Sequence, residues 1–170
     1  ERLGRSANSF DELYQELNQE DTFIDQLTLT LLQEKLINTK PDLVAFSVPF
    51  PGNLYSAFRC AQYIKKQFPS IKIAMGGGFP NTELRSLTDP RIFKYVDYIT
   101  LDDGEGPVYR LIQHLNKEIP ETDLERTFLL KKGRVFYQDK TPNTIFHHAS
   151  LPAPSYNGIE FDSYMSFLDV

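Results

Sequence analysis

Apolar and polar positions along this chain change their spacing several times, and each change marks an element. In "SFDELYQEL", Phe10, Leu13, Tyr14 and Leu17 form one stripe. Ser9 and Glu12 stand at capping-box spacing, so the polar segment 1–21 is expected to hold a short docking helix. In "TFIDQLTLTLLQEKLINTK", Ile24, Leu27 and Leu31 share a face that Leu32 and Leu36 widen. This predicts a helix over 22–38, ended at "NTKP". Pro41 then opens "DLVAFSV" (42–48), whose near-continuous apolar run suits a strand covered on both faces. From 53 to 68 the period returns to helical. Leu54, Ala57, Phe58, Ala61, Ile64 and Phe68 lie on one side, and Arg59, Gln62, Lys65 and Lys66 on the other.

Two more strands are expected, "IKIAM" (71–75) and "YVDYITL" (95–101). After the first, "GGGFPNTEL" leads into a short helix over 82–88 with Asn81 or Thr82 near its cap. After the second, "DDGEGP" leads into a helix over 107–117 with Pro107 at its first position. The order α-β-α-β-α-β-α predicts an α/β fold, a parallel sheet with helices on both faces and right-handed crossovers. Beyond Pro120 the pattern changes. "TFLLKKGRVFYQ" predicts a β-hairpin turning at Lys132-Gly133, and 139–160 has the Pro, Asn, Thr and Ser content of a linker. The chain therefore divides into an N-terminal docking segment (1–21), an α/β domain (22–120), and a hairpin with linker (121–170).

Composition narrows the function classes. The 170 residues carry a net charge of −5 and no basic block. Nucleic-acid binding needs clustered Lys and Arg to displace counterions, so it is not expected. No apolar stretch approaches the roughly 20 residues of a membrane helix. The single cysteine, Cys60, leaves no partner for an internal disulfide, and a cytoplasmic setting is the default reading. Glu1 in place of Met leads us to expect a piece of a longer polypeptide.

In a parallel sheet the loops after Val48, Met75 and Leu101 leave by one edge, where open α/β sheets bind ligands. Those loops are "PFPGN", "GGGFPNT" and "DDGEGP", and five of the nine glycines lie at 76–78, 104 and 106. Gly and Pro are also what strand-to-helix turns require anyway. The triplet Gly76–Gly78 lacks the Lys-Ser/Thr ending of a phosphate loop, and no G-x-G-x-x-G is present. Asp102, Asp103 and Glu105 would repel a polyphosphate and suit a neutral, amide-rich ligand better. They also have the chemistry for Mg²⁺ or Ca²⁺, although acidic helix starts are more often solvated caps. No strand ends in the acceptor Asp of a receiver domain. His114, His147 and His148 have no partner at ligand spacing, Cys60 sits on the buried side of its helix, and no nucleophile–base set can be assembled.

The segment from "KPDLVAFSVPFPGN" to "YITLDDGEGPVYRLIQHL" (about 40–115) resembles the cobalamin-binding-type domain that precedes the catalytic barrel in many radical S-adenosylmethionine (radical SAM) proteins. The likeness lies in a strand ending in Ser, a helix ending "IKKQFP", a strand running into "GG", "VDYI", and a Gly-Glu-Gly turn into a helix. "LPAPSYNGIEFDSY" resembles the linker before such a barrel. The resemblance implies a flavodoxin- or Rossmann-like sheet whose edge loops hold the nucleotide tail of a corrinoid. The matching positions are Ser47, Pro49, Phe50 and Asn53, then Gly76, Gly77, Gly78 and Thr82, then Gly104, Glu105 and Gly106. The glycines would leave room for the benzimidazole, and Ser47 and Thr82 would bond to the tail.

Departures from the family pattern qualify this. The Asp-x-His-x-x-Gly motif of many corrinoid proteins is absent, so no histidine replaces the lower cobalt ligand. "DDGEG" stands where "GEGE" is expected. The Cys-x-x-x-Cys-x-x-Cys signature of a 4Fe-4S cluster is missing, which assigns that cluster and S-adenosylmethionine to a barrel elsewhere in the parent chain. The expected function is a corrinoid-binding accessory domain, not catalytic alone, with that barrel as its partner. The alternative is the same fold without cobalamin, acting in packing or assembly, with Phe50, Phe79 and Tyr55 filling the cleft.

Overall fold

The computed structural model describes residues 10–140, 146 and 150–157. Ser9, His147 and His148, named above, lie outside the described residues. The elements are α1 (Phe10–Leu17), α2 (Phe23–Thr39), β1 (Leu43–Ser47), α3 (Leu54–Gln67), β2 (Lys72–Gly76), α4 (Gly78–Glu83), β3 (Tyr98–Thr100), α5 (Glu105–Leu115), β4 (Thr127–Lys131) and β5 (Arg134–Gln138). They form an α/β fold around a mixed five-stranded sheet in the order β1-β2-β3-β4-β5. β1, β2 and β3 are parallel as expected. The sheet as a whole is not, because the hairpin joins it: β4 pairs antiparallel with β3, and β5 with β4. The hairpin turn is where the sequence places it, with Lys132 and Gly133 both at positive φ, the geometry a two-residue turn needs to match strand twist.

Alternation along the strands divides the core into two layers. Ile73, Met75, Ile99 and Phe128 face a large cluster with Leu13 and Leu17 of α1, Leu36 of α2, Phe58, Ala61 and Ile64 of α3, and Phe79 of α4. We call this face one. Ala74 and Leu129 face a smaller cluster with Leu111 of α5 and Leu124, on face two. Helices thus stand on both faces, but unevenly: among the described residues α5 is the one α-helix packed on the second. β1 corrects an expectation. Among the described residues it is an outer strand, with Ala45 and Ser47 exposed, not one covered on both faces. An apolar run cannot distinguish an edge strand from a central one.

The docking helix α1 packs its stripe as expected. Phe10 meets Phe58 and Tyr95 edge-on, with ring centroids 6.0 and 6.2 Å apart. Arg59 is the second correction. It was expected on the polar side of α3, yet it is only 5% exposed and binds the chain ends of α1 and α2. Asp25, the third residue of α2, completes a capping box with Thr22 that the sequence reading did not name. Its carboxylate accepts from the Tyr55 hydroxyl at 2.9 Å and faces Arg59 Nε at 3.8 Å.

Burial alone would raise the pKa of Asp25. Bonds from the Thr22 backbone and hydroxyl and from Tyr55, with the charge of Arg59, outweigh it and hold the group below the ordinary Asp value. A depressed folded-state pKa contributes stability above the unfolded value of about 4, and that contribution is lost as pH falls through the folded value. We therefore expect Asp25→Asn to be less stable than the native chain at pH 7, with the gap closing below about pH 4. Denaturant unfolding at pH 7, 4 and 3 measures it, and a gap independent of pH would contradict this account.

No helix among the described residues is long and apolar enough to cross a membrane.

Candidate functional site

The parallel register brings the three strand ends together. Ser47 is the Cα partner of Gly76, and Met75 of Ile99. The loops after β1, β2 and β3 therefore leave by one edge, as expected, and the residues named for the site border that edge. Ser47, Pro49, Phe50, Asn53, Gly78, Thr82, Gly104 and Glu105 are exposed, Gly76 and Gly77 half-buried, and Gly106 buried. Phe50 is 70% exposed and does not fill a cleft. Phe79 does turn inward, into the face-one core, and Tyr55 is held by Arg59 and Asp25.

What lies opposite each glycine was not legible in the sequence. A Cβ on Gly77 would come within 2.9 Å of both N and O of Val48, and one on Gly78 within 2.7 Å of the Pro49 carbonyl oxygen. The first two loops are thus pressed backbone to backbone, fastened by Val48 N–H donating to Gly76 O at 2.8 Å and Phe79 N–H to Val48 O at 2.9 Å. Gly76 makes room for the Thr100 hydroxyl, and Gly106 for the Glu125 carboxylate, at 2.8 Å each. The position a Cβ would take at each of these four glycines is occupied by the chain itself. Gly52 and Gly104 differ: a Cβ meets nothing within 4 Å at the first and only Val108 Cγ2, at 4.0 Å, at the second. Phe50, Asn53 and Gly104 are thus exposed along the rim, whereas the first two loops are closed against each other.

The helix after β2 begins at Gly78, four residues before its expected start. Gly77, with φ 102°, stands at its N-cap. Asn81 does not cap the helix. Its Oδ1 accepts from Asp102 N–H at 2.6 Å, tying the second loop to the third. Thr82 donates to Gly78 O at 3.2 Å, within its own turn. Asp102 takes a left-handed φ of 60° and pairs with Arg85, with Arg126 at 3.9 Å. The hydrogen bond to Asp102, then its charge, raises the pKa of Arg85, so the guanidinium stays charged. Arg126 also bonds to Glu125 at 2.5 Å. Glu125 is 1% exposed, and its Oε2 and Arg126 Nε find no partner among the described residues. Arg85, Asp102, Arg126 and Glu125 form a chain of charges from the surface to the core. Of these, only Asp102 stands in a loop the sequence singles out; no periodicity or motif marks Arg85, Glu125 or Arg126, and the β3–β4 pairing places the last two.

Among the described residues, no three His, Cys, Asp or Glu side chains gather as a metal-ligand set. His114 Nδ1 lies 3.3 Å from Ile119 O, and its ring meets Tyr98 edge-on. Burial first, and then the charge of Asp25, push the Cys60 thiol up, which suits a packing residue. A hollow of about 640 Å³ lies between α2, α3 and the end of α1, lined by Gln26, Gln33, Gln62, Tyr63 and Lys66. None of the strand-end loops contributes to it.

Comparison with protein-family models and with curated proteins finds no match.

Proposed function

We propose that this chain is a non-catalytic accessory domain of a radical SAM protein, offering the carboxyl-end rim of its sheet to a corrinoid. The observation that carries the reading is the parallel alignment of β1, β2 and β3, which gathers the three loops of the resemblance at one edge. Phe50 would supply an aromatic surface for the macrocycle, and Asn53, Ser47 and Glu105 would meet its peripheral amides. A bound corrinoid would supply cobalt chemistry to the parent enzyme. The residues of this chain only bind and orient. The 4Fe-4S cluster and S-adenosylmethionine belong to the parent's barrel, which packs against the domain. A reducing cytoplasm suits the buried, unpaired Cys60.

One observation favours a second reading. Val48 and Pro49 occupy the space beside Gly77 and Gly78 where a nucleotide tail is expected. The same fold then serves packing or assembly without corrinoid.

Hydroxocobalamin separates the two. After incubation and desalting, we expect the protein to retain corrinoid absorbance in the visible, and Gly104→Phe to lower the retained fraction at least about fivefold, roughly 1 kcal/mol of binding. Gly104 is the position to vary because an added side chain there meets open space. Loss of all pigment from the native protein, with the parent polypeptide giving the same result, would leave the second reading standing.

A further inference from the structure

The hollow of about 640 Å³ beside α2 and α3 has the size of a small-molecule site, and its two ends differ in charge. Gln26, Thr30 and Gln33 line it from α2, and Gln62, Tyr63 and Lys66 from α3. Residues 17–21 close one end. That end is fixed, because the buried Arg59 and Gln62 both donate to Leu17 O, at 3.0 Å each. It is also negative. Asp21 and Asp25 lie 3.3 and 3.8 Å from Arg59 and already balance its guanidinium. Glu20 adds a carboxylate with no partner among the described residues. Asn18 and Gln26 donate their NH2 groups to Tyr14 O and Asp21 O, at 2.6 and 3.2 Å, which leaves their oxygens as acceptors. Toward the other end the chemistry reverses. Lys66 and Gln67 stand in the last turn of α3 and line the hollow with Gln33. None of these three side chains has a partner among the described residues. Lys66 follows Arg59 by about two turns, or ~10 Å along the helix.

We propose that this groove binds a short peptide with both termini free, its amino terminus toward Glu20 and Asp21 and its carboxylate at Lys66. Charge and span select the class. At one end an ammonium meets carboxylates and amide oxygens. At the other a carboxylate meets an ammonium and the NH2 groups of Gln33 and Gln67. An extended chain covers about 3.3–3.6 Å per residue, so about three residues bridge the ~10 Å between the ends. A single amino acid is too short to reach both. The lining also suits the backbone in between, because a carboxamide offers the same donor and acceptor pair as a peptide group. Tyr63, half-buried midway along the α3 wall, has a hydroxyl without a partner among the described residues.

Other ligand classes match the groove less well. Glu20 and Asp21 repel phosphates, and the N–H groups of Arg59 are already engaged by Tyr55, Gln62 and the carbonyls of α1. An apolar ligand finds little to cover, since Leu17 and Leu29 are buried. A neutral sugar would meet the amides and leave the charges at both ends unmatched. The groove shares no residue with the strand-end loops, so the inference does not rest on corrinoid.

Calorimetric titration and amide NMR of the 170-residue chain with trialanine test this. We expect a Kd of about 1 mM or tighter, with shifts concentrated at Gln33, Tyr63 and Gln67. Acetylating the peptide's amino terminus, amidating its carboxyl terminus, or replacing it by alanine should each weaken binding about tenfold or more. Two exposed side chains assign the ends. With Lys66→Met, trialanine and its carboxyl amide should bind equally, while the acetylated peptide stays weaker. Glu20→Gln should narrow the gap for the acetylated peptide and leave that for the amide. Neither side chain has a partner among the described residues, so both variants should melt with the native chain, and the capped peptides make the same test on the native chain itself. Four results overturn the proposal: no heat or shift at about 10 mM trialanine, capped peptides or alanine binding as tightly as trialanine, shifts confined to the strand-end loops, or discrimination against the amide that survives Lys66→Met. Titration reports the groove and visible absorbance reports the corrinoid, so either can fail without the other.

Discussion

Replacing Arg59 with Met is expected to cost about 3–5 kcal/mol, the range for removing one partner of a buried ion pair, and to lower the melting temperature by on the order of 10 °C. The guanidinium closes three helices together. Its Nη1 donates to Leu17 O at 3.0 Å and Nη2 to Glu16 O at 3.1 Å, satisfying carbonyls at the end of α1. The positive charge also complements the dipole of that helix end. Nη1 lies 3.3 Å from Asp21, before α2, and Nη2 donates to the Tyr55 hydroxyl at 2.8 Å, which in turn donates to Asp25.

Met fills the volume of the arginine stem, so the loss is not that of a cavity. It is the desolvation of Asp25, now without its cation, and of carbonyls left unmet. Lys is not a conservative replacement, because one ammonium cannot reach both helix ends as the planar fork does. Denaturant titration gives the energy, and limited proteolysis between α1 and α2 reports undocking of α1. A loss under about 1 kcal/mol for Arg59→Met would mean that the network is a solvated decoration.

Gly77→Ala is expected to be nearly as damaging as Gly77→Val, at about 3–5 kcal/mol, because the offending atom is the Cβ itself. Two costs combine. The backbone at Gly77 has φ 102° and ψ −170°, a region essentially restricted to glycine, worth about 1–3 kcal/mol for another residue. The added carbon then meets two backbone atoms of Val48 at 2.9 Å. Neither can move without breaking the Val48–Gly76 bond that ends the β1–β2 ladder, and forced overpacking of this kind adds about 1–3 kcal/mol. Gly52→Ala is the control. It meets nothing within 4 Å, and we expect a change within about 0.5 kcal/mol. Thermal unfolding of the three variants decides the matter. Equal stability of Gly77→Ala and the native chain would show that the two loops do not touch. The same contact disqualifies Gly77 as a test of ligand binding, since its loss would disturb the edge whether or not anything binds there.

Much of the architecture was legible before any coordinates. The stripe Leu54, Phe58, Ala61, Ile64 located α3 to within a residue or so, and "KKG" located the hairpin turn. These are statements about hydrogen bonds and burial within a few residues, which the side-chain period reports directly. The parallel course of β1, β2 and β3 followed as well, because short helical connections leave few other routes. Arg59 was misread for a related reason. On a helical wheel it lies with Gln62 and Lys66 on the polar side. The end of α1, 42 residues earlier in the chain, converts that side into an interior, and nothing near Arg59 records it. Asn81 has the chemistry of a helix cap and, with Thr82, stands where one is expected, but the approach of Asp102 offers its carboxamide a better partner.

The sequence alone determined the kinds of element, their order and the shared direction of the first three strands, because each is set by contacts within a turn or between neighbouring segments. Tertiary structure alone decided that β1 is the outer strand among the described residues, that the hairpin extends the sheet, and that four glycines between 76 and 106 serve Thr100, Val48, Pro49 and Glu125. A glycine states only that space is needed. What fills the space comes from residues distant in the chain, whose approach is governed by the pairing of whole strands.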